Sequence, residues 1–410
     1  MKKNNQIIYL LSAIGFFGIF STTMAKNPVL PLYVNALGQG EAVLGLISAI
    51  SPLAGIIFSF PVGLLINHWG KKKLLILSSL VFVLAPLMYI FVTNAWWLIP
   101  IRFFHGLATA ILGPLSATII FNSYESNKGE KLGTYSSATL IGRTLAPLFG
   151  GLIISYFTFF NGLANYRAVY FAVFVLALPV LFLSLLYKDI EEEVKPQGHD
   201  LSFKIFWQAL KNIFRQAKLV STALVEMSIY FIFGVLETFL PLYLHNLGFG
   251  ASKIGLIFSI QILAIALTKP LFGRLADRVN KRTQIVFGMF IFAMSFVFIP
   301  FLNNYWLILI LSIIFGLGMS ISTVATNSYV PEIIKKEELG PSMGALSSLM
   351  DVGHSSGPFI VGLIITYFSF VYGFVFGLVV ALIATIYFVI ANFGFKSPPT
   401  RGSLPTGRQV

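Results

Sequence analysis

Apolar stretches long enough to cross a bilayer follow one another along almost the whole chain. A spanning helix needs about 20 mostly apolar residues. Windows of that kind fall at 7–34, 43–66, 74–93, 98–121, 132–157 and 167–187, then at 219–244, 252–274, 284–302, 305–329, 341–368 and 371–393. In hydrocarbon every backbone polar group must find its partner within the protein, which leaves helices as the way to use stretches this long. The expected fold is an all-α integral membrane protein with twelve transmembrane helices. Its sections are a six-helix N-terminal half (1–187), a cytoplasmic linker with an amphipathic segment from Phe203 to Lys218 (188–218), a six-helix C-terminal half (219–395), and a Pro/Gly-rich tail read as disordered and cytoplasmic (396–410). A content of 57% hydrophobic and 10% charged residues in 410 fits a chain with lipid as its solvent rather than one soluble core.

The start of the chain imitates a secretory signal: MKKNN, an apolar run from Ile7 to Phe20, then Thr23-Met24-Ala25. The apolar pattern continues through Pro28-Val29-Leu30-Pro31, so the segment is assigned to the fold.

Lysine and arginine give the orientation. With both termini in the cytoplasm, 22 of the 28 fall on that side, in the basic ends, the linker and the even-numbered turns. The outer loops hold only Arg167 and Lys253. A cytoplasmic excess of Lys and Arg is the orientation signal of membrane proteins. The formal charge of +13 therefore reports topology, not nucleic-acid binding. The expected location is the inner (cytoplasmic) membrane, multi-pass, with the bilayer itself as a partner. The sequence has no cysteine, no phosphate loop before Lys-Ser/Thr and no His/Cys cluster. No cofactor, metal or catalytic residue is expected, and the chain is not read as an enzyme.

The chain also repeats itself. LPLYVNALGQGEAVLGLISAI, from Leu30, and LPLYLHNLGFGASKIGLIFSI, from Leu240, match at 11 of 21 positions with no gap. The offset of 210 carries on, placing Gly63 on Gly273 and Lys71-Lys72 on Lys281-Arg282. Two six-span halves in the same orientation are what a parallel internal repeat produces.

Several motifs sit on this frame. GLLINHWGKKK runs from Gly63 to Lys73 and GRLADRVNKR from Gly273 to Arg282. Gly70 and Asn280 occupy the tight turns, and both residue types tolerate positive φ. RFFHGLATAILGP starts at Arg102, GRTLAPLFGG spans Gly142 to Gly151, and GHSSGPFIVG spans Gly353 to Gly362. Through these motifs, and over nearly its whole length, the chain resembles the major facilitator superfamily, most closely the twelve-span drug:proton antiporters. The resemblance implies two pseudo-symmetric halves around a central cavity lined by helices 1 and 7. It implies a charge cluster at the loop motif that latches one conformation, with Gly273, Asp277 and Arg278 as the better copy. The first half has Asn67 where the Asp is expected. Arg102 and Gly106 fit the helix 4 motif. Gly142, Arg143, Pro147, Gly150 and Gly151 fit the helix 5 signature of antiporters, with Ala146 replacing one Gly. Small residues at this spacing let helices approach closely, and Pro147 interrupts the backbone ladder.

Ionisable residues inside spans are costly and are candidates for function. They are Lys26, Arg102, His105, Arg143, Glu226, Glu237, Lys269, Asp351 and His354. Glu226, Tyr230 and Glu237 return to nearly one side of the seventh helix. The two carboxylates are about 16 Å apart along it. They suggest a face lining the proton and substrate cavity, or else a structural ion pair. Glu237 is the repeat partner of Asn27, and Lys26 is next to Asn27, so a Lys26–Glu237 pair across the halves is expected, closing or coupling them. Asp351 and His354, three apart, can share a face. Arg143 is a functional or a helix-packing residue. His105 reads as packing, and Lys269 as snorkelling near a helix end. Phe16, Phe17 and Phe20 are candidates for an apolar lining. The leading expectation is a monomeric secondary exporter of small apolar or amphipathic molecules, driven by proton antiport with alternating access. The alternative is a proton-coupled symporter or facilitator for sugars or other small metabolites.

Overall fold

A computed structural model describes residues 2–124, 126–159, 162–188, 203–334 and 339–393. The tail from 396 and the linker from 189 to 202 lie outside the described residues, as do the surroundings of Gly63 and the side chain of Asn67. The N-terminal helices are Lys2–Lys26 (α1), Val29–Ala36 (α2), Glu41–Trp69 (α3), Lys71–Ile90 (α4), Leu98–Ser123 (α5), Lys128–Tyr156 (α6) and Ala164–Leu186 (α7). Phe203–Arg215 (α8) follows. The C-terminal helices are Ala217–Asn246 (α9), Ala251–Ala276 (α10), Lys281–Phe298 (α11), Tyr305–Ile333 (α12), Leu339–Tyr367 (α13) and Phe370–Phe393 (α14). Among the described residues, twelve spans are long and apolar enough to cross a membrane, so the chain is a multi-pass membrane protein.

The first span differs from its expected single helix. α1 stops at Lys26, Asn27 and Pro28 follow, and α2 starts at Val29. The Asn27–Pro28 peptide is cis. Pro28 has no N–H for the helical ladder. Its repeat partner is Thr238, which has one, and α9 runs unbroken past that position.

Elsewhere the repeat is written into the structure. Gly38 and Gly248 both take positive φ after the first helix of each half. The Tyr33 hydroxyl donates to the carbonyls of Tyr89 and Val92, and its partner Tyr243 donates to those of Pro300 and Leu302. Asn94 and Asn304 accept from the amides of Trp96 and Trp306, capping equivalent helices.

α1 and α3–α7 pack together as one half, and α9–α14 as the other. Two seams join them: α3 on α13, and α6 on α10. Both seams are tight on the side of the Gly38 and Gly248 turns, called here the loop side. Gly45 backs onto the Pro358 carbonyl, and its repeat partner Gly255 onto the Pro147 carbonyl. Gly151 backs onto the Ala251 carbonyl. A Cβ at any of the three would overlap the facing oxygen. Hydrogen bonds fasten the same region: Ala42 N–H to Thr366 Oγ1 at 2.9 Å, Leu148 N–H to Ser259 Oγ at 3.1 Å, and Ser252 N–H to Ser155 Oγ at 3.1 Å. Toward the other, terminal side, Leu267, Lys269 and Leu271 of α10 and Ser136, Ser137 and Arg143 of α6 are exposed. The halves meet on the loop side and part toward the side where the chain begins.

Candidate functional site

The seam between the halves contains one ionic cluster. Lys26 is the last residue of α1, and its Nζ donates to Glu237 Oε2 at 2.5 Å. Asn27 Nδ2 donates to the other oxygen, Oε1, at 2.9 Å. His354 of α13 brings Nε2 to 3.0 Å from Glu237 Oε2 and 3.2 Å from Lys26 Nζ. One ring nitrogen cannot donate to the carboxylate and accept from the ammonium at once. The histidine therefore has two arrangements, each satisfying one of its neighbours. Placement is tight because the helices are. A Cβ at Gly234 of α9 would meet the His354 ring at 2.8 Å. The Tyr230 and Phe233 rings lie 6.3 and 5.9 Å from it. Glu237 is 7% exposed, so this charge depends on its three partners.

Glu226, three turns away on the same helix, has no cation within ion-pair distance among the described residues. Thr326 of α12 donates its hydroxyl to Oε1, and Oε2 has no partner. The side chain is 3% exposed, set between α9 and α12 rather than on an open cavity wall. Asp351 does not join His354: its carboxylate sits against Gly55 of α3, 3.3 Å from where a Cβ would lie. Two residues three apart share a face, but on α13 that face meets α9 at His354 and α3 at Asp351.

Cations outnumber carboxylates here. Arg143 and Lys269 are exposed on facing helices of the two halves, within electrostatic range of each other, and Lys269 also within range of Glu226. Neither has an ion-pair partner among the described residues. Arg102 is 2% exposed on α5, beside the Tyr89 hydroxyl. Its Nε has no hydrogen-bond partner among the described residues. His105 packs edge-on against Phe82 and Tyr89, and neither ring nitrogen has a partner. Phe16 and Phe20 of α1 touch each other, and Phe20 touches Phe149 of α6.

A family model described as Major Facilitator Superfamily matches residues 11–252 and 222–409. The chain belongs to the Major Facilitator Superfamily. It is a transporter rather than an enzyme. Among curated relatives it is 26% identical over 390 residues to the "Multi-drug resistance efflux pump PmrA homolog" of Lactococcus lactis subsp. lactis (strain IL1403), covering 92% of this chain and 91% of that protein. It is 26% identical over 374 residues to "Multidrug resistance protein MdtG" of Serratia proteamaculans (strain 568), covering 87% of each. Two solved structures share the fold. A bacterial homolog of the human lysosomal transporter Spinster, inward-facing and unoccupied, gives a TM-score of 0.80 at 14% identity over 97% of this chain and 99% of that one. The nucleoside transporter NupG gives 0.80 at 13% identity over 95% and 100%.

The superfamily's loop motif looks different in place. Gly70 takes φ +81°, as its turn requires. Asn280 does not: its φ is −65°, and its side chain caps α11 by accepting from Arg282 N–H at 3.0 Å. Asn has this second way to end a loop, and Gly does not. Asp277 and Arg278 are exposed and take no part in an ion pair among the described residues. The charges that do engage are their neighbours. Lys281 pairs with Glu332 at 2.8 Å, and the Arg282 guanidinium donates to the Asn392 carbonyl at 2.9 Å and lies over the Tyr329 ring. Tyr329 and Ser221 bond the Asn392 side chain. Glu332, Asn392 and Thr326 are polar partners that no motif or periodicity marked.

The GRTLAPLFGG segment of α6 divides its glycines between neighbouring helices of its own half and the other half. Gly142 faces α1 at the Phe16 carbonyl, and Gly150 faces Met24 of α1 and Val29 of α2, while Gly151 faces α10 across the seam. Pro147 presents its carbonyl to Gly255. On α13, Gly353 and Gly357 lie on α9 and Gly362 on α3.

Proposed function

We propose that the protein exports small apolar or amphipathic molecules from the cytoplasm in exchange for protons, with both termini and the open end of the cleft on the cytoplasmic side of the inner membrane. The observation that carries this reading is the unequal treatment of the two carboxylates of α9. Glu237 is bonded at both oxygens across the halves, while Glu226 is buried with one oxygen bare. An ion in that position is costly unless paired or protonated. Proton uptake at Glu226 removes the charge and permits one closure. Its release favours the opening that admits substrate, and the two halves rock about the midplane. The efflux pumps among the relatives support the direction of transport.

Glu226→Gln is expected to lose proton-driven accumulation while keeping substrate binding and downhill exchange. Substrate-induced proton release, measured in detergent, should disappear in this variant. Full release from Glu226→Gln removes the residue from coupling. In inverted vesicles with an acidic interior, accumulation that survives a proton uncoupler rejects antiport itself.

A second reading rests on Arg143 and Lys269. Two cations on facing helices of a closing cleft, with no ion-pair partner among the described residues, repel strongly in a dry site, and an anion between them relieves that repulsion. Ionised Glu226 competes for Lys269, so a proton on Glu226 and an organic anion bind together. That coupling is co-transport. Proton uptake rather than release on adding substrate selects it.

The orientation has its own check, and the absence of cysteine makes it clean. Ser126→Cys, exposed before α6, should react with a membrane-impermeant maleimide only after sealed cells are permeabilised. Thr93→Cys, exposed on the loop side, should react in intact cells. The reverse pattern inverts the topology.

A further inference from the structure

The helix α8 is not used by the transport reading. Its sequence, FKIFWQALKNIFR, separates into an apolar face and a polar face at helical spacing. Only Gln216, in extended conformation, stands between α8 and the first turn of the spanning helix α9, so α8 is held at the level where the membrane surface lies. Its contacts with the protein are one-sided. It packs on α9 and α13, where Ile213 is fully buried in a cluster with Leu219, Val330 and Leu346. On the neighbouring edge Trp207 is 48% and Phe214 62% exposed. Lys211 and Arg215 are exposed and follow Trp207 at intervals of four, so apolar rings and cations form one strip.

We propose that this strip of α8 is a docking surface for anionic lipid headgroups of the leaflet on the terminal side of the protein. The apolar rings match the acyl boundary, the cations match phosphate, and a helix with both along one edge lies in the interface plane. A membrane is already the solvent of this chain, so the surface needs no additional partner to reach it. Because α8 rests on α9 and α13, the charge of that leaflet bears on the two helices that carry Glu237 and His354.

The test uses the full chain in lipid nanodiscs, made of phosphatidylcholine alone or with about one third phosphatidylglycerol, and reads amide hydrogen exchange across α8. Phosphatidylglycerol should slow that exchange about tenfold, and added salt should reverse the effect. The double variant Lys211→Gln/Arg215→Gln should abolish the difference between the two lipids while leaving exchange in phosphatidylcholine unchanged. Equal exchange in both lipids, or slowing that persists in the double variant, overturns the proposal. So does slowing produced in phosphatidylcholine by soluble glycerol phosphate, which makes the site one for a free anion. Slowing in phosphatidylcholine that grows with protein density overturns it as well, because the occupant is then a second copy. None of these outcomes depends on proton coupling or on the direction of transport.

Discussion

Glu237→Gln is expected to abolish uphill transport and to lower stability by about 3–5 kcal/mol, the scale for removing one partner of a buried ion pair. Lys26 would remain at 21% side-chain exposure with a neutral amide in place of its carboxylate. Asn27 would face a group that is itself half donor, and His354 would lose the oxygen that Nε2 approaches. The loss arises mainly from the stranded ammonium, not from the missing attraction. Lys26→Met in the same chain should therefore recover a substantial part of the stability, because an apolar side chain of similar length leaves no buried charge behind. Thermal unfolding in detergent and uptake into vesicles should be measured for both single variants and the pair. Independent, additive losses would show that the two residues do not act as a unit.

The second large effect belongs to a glycine. Gly255→Val should displace the molecule from the conformation described here, because its side chain would have to occupy the space of the Pro147 carbonyl. Overpacking of this kind costs about 1–3 kcal/mol. Here the penalty falls on one state only, since the contact exists only where α6 and α10 meet. The ratio of states should shift roughly five- to hundredfold toward the one open on the loop side. Spin labels at Ser126→Cys and Thr283→Cys, both exposed on the terminal side, should then sit closer together than in the unsubstituted background. An unchanged distance distribution would mean that the seam yields elsewhere. Substitution at Gly113, which has open space around it, serves as the control and should change nothing.

The parts of this fold that repeat are legible in the sequence. Apolar length gave the spans, and the offset of 210 brought Lys26 and Asn27 to the depth of Glu237. What the offset relates is a position and its double, not a position and its neighbour. It therefore had nothing to say about Thr326, which meets Glu226 from another helix of the same half. It could not decide which end of the Asp351–His354 pair would turn toward α9, because that depends on how α13 crosses two helices at once. Departures from the repeat were hidden for a related reason. Pro28 and Asn280 follow local backbone rules that their partners, Thr238 and Gly70, do not share.

The hydrogen bond from Asn27 to Glu237 joins residues exactly 210 apart, so it connects a position to its own counterpart. Two such atoms can touch only where the pseudo-twofold axis passes between them. A homodimer of half-length chains would be bound by its symmetry at that point. It would set carboxylate against carboxylate or amide against amide, and its second copy could not be varied alone. One continuous polypeptide escapes that constraint. It can mutate each side of that axis separately, and so place a donor opposite an acceptor at the one locus where identical subunits are forced to agree.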